Sequence, residues 1–163
     1  MATQDPGYRV LFVCTGNTCR SPLAAGALVQ ELGPEAARVG VASAGTGAWD
    51  GQAATEHSIQ MAERHRIDLR GHRSRRATRE MVRAADLVLA MERSHLEALA
   101  GLGADPRSTF VLSEWPAPGE PELVISDPFG GSIEAYEECW RRILRHVRRA
   151  APQVLEAARA RSA

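Results

Sequence analysis

Residues 9–22 read Arg9-Val10-Leu11-Phe12-Val13-Cys14-Thr15-Gly16-Asn17-Thr18-Cys19-Arg20-Ser21-Pro22. The first five, RVLFV, form a short apolar run and predict a buried strand. A polar, glycine-containing turn follows over residues 14–21. Ser21-Pro22 then supplies a candidate N-cap with proline at the first helical position. A helix is expected over residues 23–32, stopped by Gly33-Pro34.

Outward from this stretch the alternation repeats. Residues 39–44 predict a second strand, 45–53 a loop, and 55–66 a helix with Ile59, Met61 and Ala62 apolar. Residues 87–91 predict a third strand, 94–102 a helix, and 110–112 a short fourth strand. A long loop, 113–131, carries four prolines. The last helix starts after Ser132 and sets Ile133, Tyr136, Trp140, Ile143 and Val147 on one face. Glu134, Glu137 and Glu138 come early and Arg145, Arg148 and Arg149 late, the order that complements a helix dipole. Strands alternating with helices mean an α/β fold with a parallel sheet covered on both faces. Ligands of such sheets bind beyond the carboxyl ends of strands, so the turn after the first strand is the first candidate site. The 163 residues fit one domain, with 1–8 and 152–163 expected as poorly ordered tails.

Composition narrows the chemistry. Hydrophobic residues are 44% and charged residues 25%, the values of a globular chain; with aromatics at 5%, the core must be mostly Ala, Val, Leu and Ile. Twenty acids balance twenty bases, so charge gives no reason for a nucleic-acid or membrane partner. Every base is arginine. Without lysine, Walker-type nucleotide binding, Schiff-base chemistry and kinase chemistry are excluded. No apolar run reaches membrane-spanning length, and the first residues lack the pattern of a signal peptide. Three cysteines, an odd and low number, fit a reducing compartment, and a cytoplasmic location is expected. The five histidines show no metal-ligand spacing, and Cys14 and Cys19 read as loop residues rather than zinc ligands. No metal and no cofactor are expected.

The bare pattern Cys-x5-Arg is weak evidence. Cys139 and Arg145 repeat it inside the last helix, where Cys139 reads as a structural thiol. Cys14 has the context that Cys139 lacks. A strand delivers it to the sheet edge, Gly16 permits a left-handed or tight backbone, and a helix starts at once. Backbone N–H groups of Thr15, Gly16, Asn17, Thr18, Cys19, Arg20 and Ser21 can then turn inward as an anion nest. Arg20 adds a planar fork for two phosphate oxygens. The same positive surroundings are expected to lower the Cys14 pKa, with Ser21 donating to the thiolate and Asn17 holding the loop shape. The competing reading, a tight turn around a buried cysteine, leaves Arg20, Asn17 and Ser21 unexplained together.

VLFVCTGNTCRSPLA resembles the phosphate loop of the low-molecular-weight protein tyrosine phosphatases. The resemblance extends from about residue 10 to residue 147. It takes in Ser43-Ala44-Gly45-Thr46, His72 in RGHRSRR, and Ser126-Asp127-Pro128-Phe129-Gly130. It implies a four-stranded parallel sheet and a cysteinyl-phosphate mechanism. Cys14 would be the nucleophile and Arg20 would bind the transferring group. Asp127 would be the general acid and then the base for water; Asn17, Ser21, Ser43 and His72 would support the loop. Asp127 also fits physically, because a leaving group needs a proton and Pro128 holds Asp127 extended; an ordinary Asp-Pro turn is the competing reading. Trp49 falls where the family has a substrate wall, against a plain packing role. Eight arginines between Arg64 and Arg83 read as a solvated face, with a docking face for an acidic partner as the alternative.

Thr18 stands where phosphotyrosine enzymes commonly carry an aliphatic residue, and Phe129-Gly130 where they tend to carry two tyrosines. CTGNTCRSP with DPFGGS resembles the bacterial protein arginine phosphatases. Specificity is therefore assigned to Thr18, Trp49 and Phe129, with phosphoarginine on a protein ahead of phosphotyrosine. Thioredoxin-coupled arsenate reductases share the loop but need two more redox cysteines, and only Cys139 remains. A non-catalytic phosphate-binding module would need neither Cys14 nor Asp127. Cys14 and Cys19 form a candidate redox pair. No feature of the sequence sets an oligomeric state.

Overall fold

The computed structural model describes residues 5–117 and 125–162. Residues 1–4 of the expected N-terminal tail, residues 118–124 of the proline-rich loop, and residue 163 lie outside the described residues. The chain runs β1 (Tyr8–Cys14), α1 (Arg20–Leu32), a 3-10 segment (Gly33–Arg38), β2 (Val39–Gly45), α2 (Glu56–Arg64), α3 (Arg79–Ala84), β3 (Leu87–Ala90), α4 (Ser94–Gly101), β4 (Thr109–Val111), a 3-10 turn (Leu112–Glu114) and α5 (Ile133–Ser162). The four strands are all parallel in the order β2-β1-β3-β4. The sheet is the four-stranded parallel sheet expected from the sequence.

Side-chain alternation divides the sheet into two faces. Val10, Phe12, Leu87 and Leu89 pack with Leu23, Leu28, Met61, Ile143 and Val147 from α1, α2 and α5. Leu11, Val13, Val88 and Ala90 pack with Val82 of α3 and Leu99 of α4. β1 is central and covered on both sides, which is why it reads as a continuous apolar run.

Four local expectations are corrected. The N-cap of α1 is Cys19, not Ser21, and no side chain caps it. Ser21 is inside the first turn and its hydroxyl turns toward Cys14 instead. The left-handed residue of the turn is Asn17, at φ 56°, rather than Gly16; asparagine tolerates this region because its short side chain bonds locally. The expected C-terminal tail 152–163 is helical as far as Ser162, despite Pro152 inside α5. A proline in mid-helix removes one backbone hydrogen bond, but burial of Val154 and Ala158 and the pairs Arg159–Glu35 and Arg161–Asp86 hold the helix beyond it. At the other end β1 begins at Tyr8, within the expected N-terminal tail. The 3-10 segment and α3 had no counterpart in the sequence reading.

Candidate active site

β1 delivers Cys14 to the carboxyl edge of the sheet, where it pairs with Gly45 at the end of β2. A Cβ on Gly45 would collide with the Thr15 carbonyl oxygen and lie 3.0 Å from Asn17 N. Glycine at 45 is therefore what lets the 14–21 loop fold against β2.

Inside the loop the hydrogen bonds fix one another. The Arg75 backbone N–H donates to Asn17 Oδ1 at 3.0 Å, so that atom is the amide oxygen. Asn17 Nδ2 donates to Ser21 Oγ at 2.8 Å and to Ser43 Oγ at 2.9 Å. Ser21 Oγ lies 2.9 Å from Cys14 Sγ, and to the thiolate the hydroxyl can only donate. Asn17 N–H donates to the same sulfur at 3.3 Å. His72 Nε2 donates to the Asn17 carbonyl at 2.7 Å, and Arg75 Nε donates to the Ser43 carbonyl at 3.0 Å. Asn17 is wholly buried with every polar atom of its side chain used. Asn17, Ser21, Ser43 and His72 thus form one network.

Arg20 is fixed from the opposite side. Its Nη1 donates to Glu92 Oε1 at 2.7 Å and to the Ile125 carbonyl at 3.2 Å, and its Nη2 lies 3.6 Å from Asp127 Oδ2. Asp127 Oδ1 accepts from the Phe129 N–H at 3.0 Å, a local turn, and the Arg20 contact brings that turn to the cavity. Cys14, Thr15, Gly16, Asn17, Thr18, Cys19, Arg20, Gln52, Asp127 and Phe129 line a cavity of 240 Å³.

The expected lowering of the Cys14 pKa is reversed. Burial of the sulfur outweighs the Ser21 hydrogen bond, the Arg20 charge and the Asn17 N–H, and pushes the thiol above its ordinary value. The polar contacts limit that rise; none of them overcomes it.

The family model described as low molecular weight phosphotyrosine protein phosphatase matches residues 9–160. The chain belongs to this family. It is 36% identical to the low molecular weight protein-tyrosine-phosphatase Wzb of Escherichia coli K12, over 85% of this chain and 90% of that one. It is 38% identical to the protein-arginine-phosphatase of Bacillus subtilis 168, over 79% of this chain and 85% of that one. Among solved structures, a cysteine-to-serine mutant of YwlE arginine phosphatase with a phosphorylated active-site serine superposes with a TM-score of 0.80. That match is 35% identical and covers 90% of this chain and 95% of that one.

Not every family position converges on the cavity. Trp49 is 78% exposed and does not line it; its carbonyl accepts from Ser74 Oγ. Phe129 does line it and is 69% exposed. Cys19 lines it too, its buried Sγ lying 3.4 Å from the Tyr136 hydroxyl and 3.6 Å from Thr55 Oγ1. Sequence reasoning missed Glu92, Arg75, Gln52 and Tyr136. Arg75 sat unnoticed within the arginine-rich run. Glu92, two residues past β3 at the same sheet edge as Cys14, carried the one usable signal.

Proposed function

We propose that the chain is a protein phosphatase working through Cys14, with phosphoarginine as its preferred substrate. The convergence of Cys14, Arg20 and Asp127 on one cavity carries the reading. The 14–21 loop is the phosphate loop: its N–H groups and the uncapped start of α1 receive the phosphoryl oxygens. Arg20, oriented by Glu92 and Ile125, binds two of them.

Cys14, after losing its proton to solvent, attacks phosphorus. The bond to the leaving nitrogen or oxygen breaks, and Asp127 gives that atom a proton. Asp127, now a carboxylate, takes a proton from water as the water attacks phosphorus. The sulfur–phosphorus bond breaks and inorganic phosphate leaves. Ser21 and the Asn17 N–H stabilise the sulfur anion at each end of the cycle.

Thr18 and Gln52 set polar groups on the cavity, and Phe129 is the one aromatic side chain among its lining residues. A guanidinium, planar and rich in N–H donors, finds acceptors there. Phosphotyrosine is the second reading, favoured by the exposed ring of Phe129. The three free cysteines support a cytoplasmic setting; no helix among the described residues is long and apolar enough to cross a membrane. Peroxide oxidation would join Cys14 and Cys19, both of which line the cavity.

The test is kcat/KM for phosphoarginine and phosphotyrosine peptides in wild type and Thr18→Ile. The exchange keeps β-branching and trades a hydroxyl for apolar bulk. We expect phosphoarginine turnover to fall by about tenfold to a hundredfold while phosphotyrosine turnover holds or rises. An unmoved ratio, or a wild type that prefers phosphotyrosine, refutes the arginine assignment.

A further inference from the structure

His95 is buried at the start of α4, with no role assigned so far. The Glu92 backbone N–H points to its Nδ1 at 3.2 Å. A backbone N–H can only donate, so Nδ1 carries no hydrogen and the ring is the neutral Nε2–H tautomer. Nε2–H then donates to Thr15 Oγ1 at 2.9 Å. On its other side the Thr15 methyl faces Gly47, where an added Cβ would stand 3.6 Å from Thr15 Cγ2. The Thr15 side chain is thus held between Gly47 and His95. Its hydroxyl accepts one hydrogen bond and keeps its own proton to donate. Thr15 follows the nucleophile directly and lines the same cavity.

We propose that His95 is a positioning residue: its neutral imidazole fixes the Thr15 hydroxyl as an additional donor to the phosphoryl group. The assignment rests on the phosphatase reading above. The turn after β3 would then hold the loop at two points, Glu92 through Arg20 and His95 through Thr15.

Two amide variants separate the two ring nitrogens. His95→Asn keeps an acceptor near Nδ1 for Glu92 N–H but does not reach Thr15. His95→Gln places an N–H near Nε2 and keeps the Thr15 contact. With a phosphotyrosine peptide as substrate, we expect His95→Asn to lower kcat/KM by about threefold to tenfold, and vanadate inhibition to weaken by a similar factor. His95→Gln stays within about twofold of wild type. Thr15→Val reproduces the Asn loss, Thr15→Ser does not, and Asn combined with Val loses no more than either alone. Equal losses in the Asn and Gln variants, multiplying losses in the double variant, or a Thr15→Val enzyme equal to wild type would overturn the assignment. The Thr15 variants, altered at an exposed residue, decide it if a His95 variant does not fold. A wild type that hydrolyses neither phosphotyrosine nor phosphoarginine refutes the phosphatase reading instead.

Discussion

Cysteine and arginine stand six positions apart at Cys14–Arg20 and again at Cys139–Arg145, and the backbone between them decides what each pair can do. Cys139 and Arg145 belong to the uninterrupted helix α5. Six helical residues advance about 9 Å and turn by about 240°, so the two side chains leave in different directions. Cys139 enters the core and Arg145 faces solvent. Cys14 and Arg20 are separated by a loop that doubles back through a left-handed Asn17, and both end at one cavity. Burial acts on the two thiols alike: it pushes Cys139 up to about 12 and raises Cys14 too. What Cys14 has in addition is donors, the Ser21 hydroxyl and the Asn17 N–H. A spacing becomes a site only where the fold bends it around a ligand and gives the nucleophile something to ionise against.

The largest effect expected from this contrast is its simplest break. Cys14→Ser should abolish turnover, by roughly a thousandfold or more, and still bind vanadate. Cys139→Ala should leave kcat/KM within about twofold and lower only the melting temperature, since it opens a cavity in the core. A Cys14→Ser protein keeping more than a few per cent of activity would end the covalent mechanism.

A smaller effect isolates the donors. Ser21→Ala removes the hydroxyl that stabilises the thiolate, so the Cys14 pKa rises further. One hydrogen bond to a charged group is worth roughly 1.5–3 kcal/mol, or about one to two pH units. The pH midpoint for alkylation of Cys14 by iodoacetamide should move upward by that amount, with slower inactivation at neutral pH. An unchanged midpoint would mean that Ser21 only shapes the loop.

The smallest effect concerns oxidation, which sorts the three thiols. Peroxide oxidises the Cys14 thiolate to a sulfenic acid, releasing hydroxide; Cys19 then displaces water to form a disulfide. Inactivation should be reversed by dithiothreitol, with Cys139 still reduced. Mass spectrometry showing irreversible oxidation at Cys14 and a free Cys19 would contradict this pairing.

How much of this was legible follows from how local each feature is. Strand, turn and helix over residues 8–32 lie in one stretch, and the apolar run with Ser-Pro after it announced them, although the cap itself fell on Cys19. The apolar face of α5 was legible for the same reason, but its continuation past Pro152 depends on distant partners, Glu35 and Asp86. The supports of the loop were least legible. Arg75, Glu92 and Tyr136 reach it from 55 or more positions away in the numbering, and their residue types have no spacing to betray them. The direction of the Cys14 shift was misread because sequence displays the charges near a thiol and not how deeply the fold buries it.

The central claim is that Cys14 carries the phosphoryl group during turnover. The most direct test is to quench the enzyme with acid within its first turnover of a phosphotyrosine or phosphoarginine peptide and map the modified residue by mass spectrometry. The account predicts a phosphoryl group on the peptide containing Cys14, absent from Cys14→Ala. A phosphoryl group on any other residue, or turnover that persists in Cys14→Ala, would contradict it.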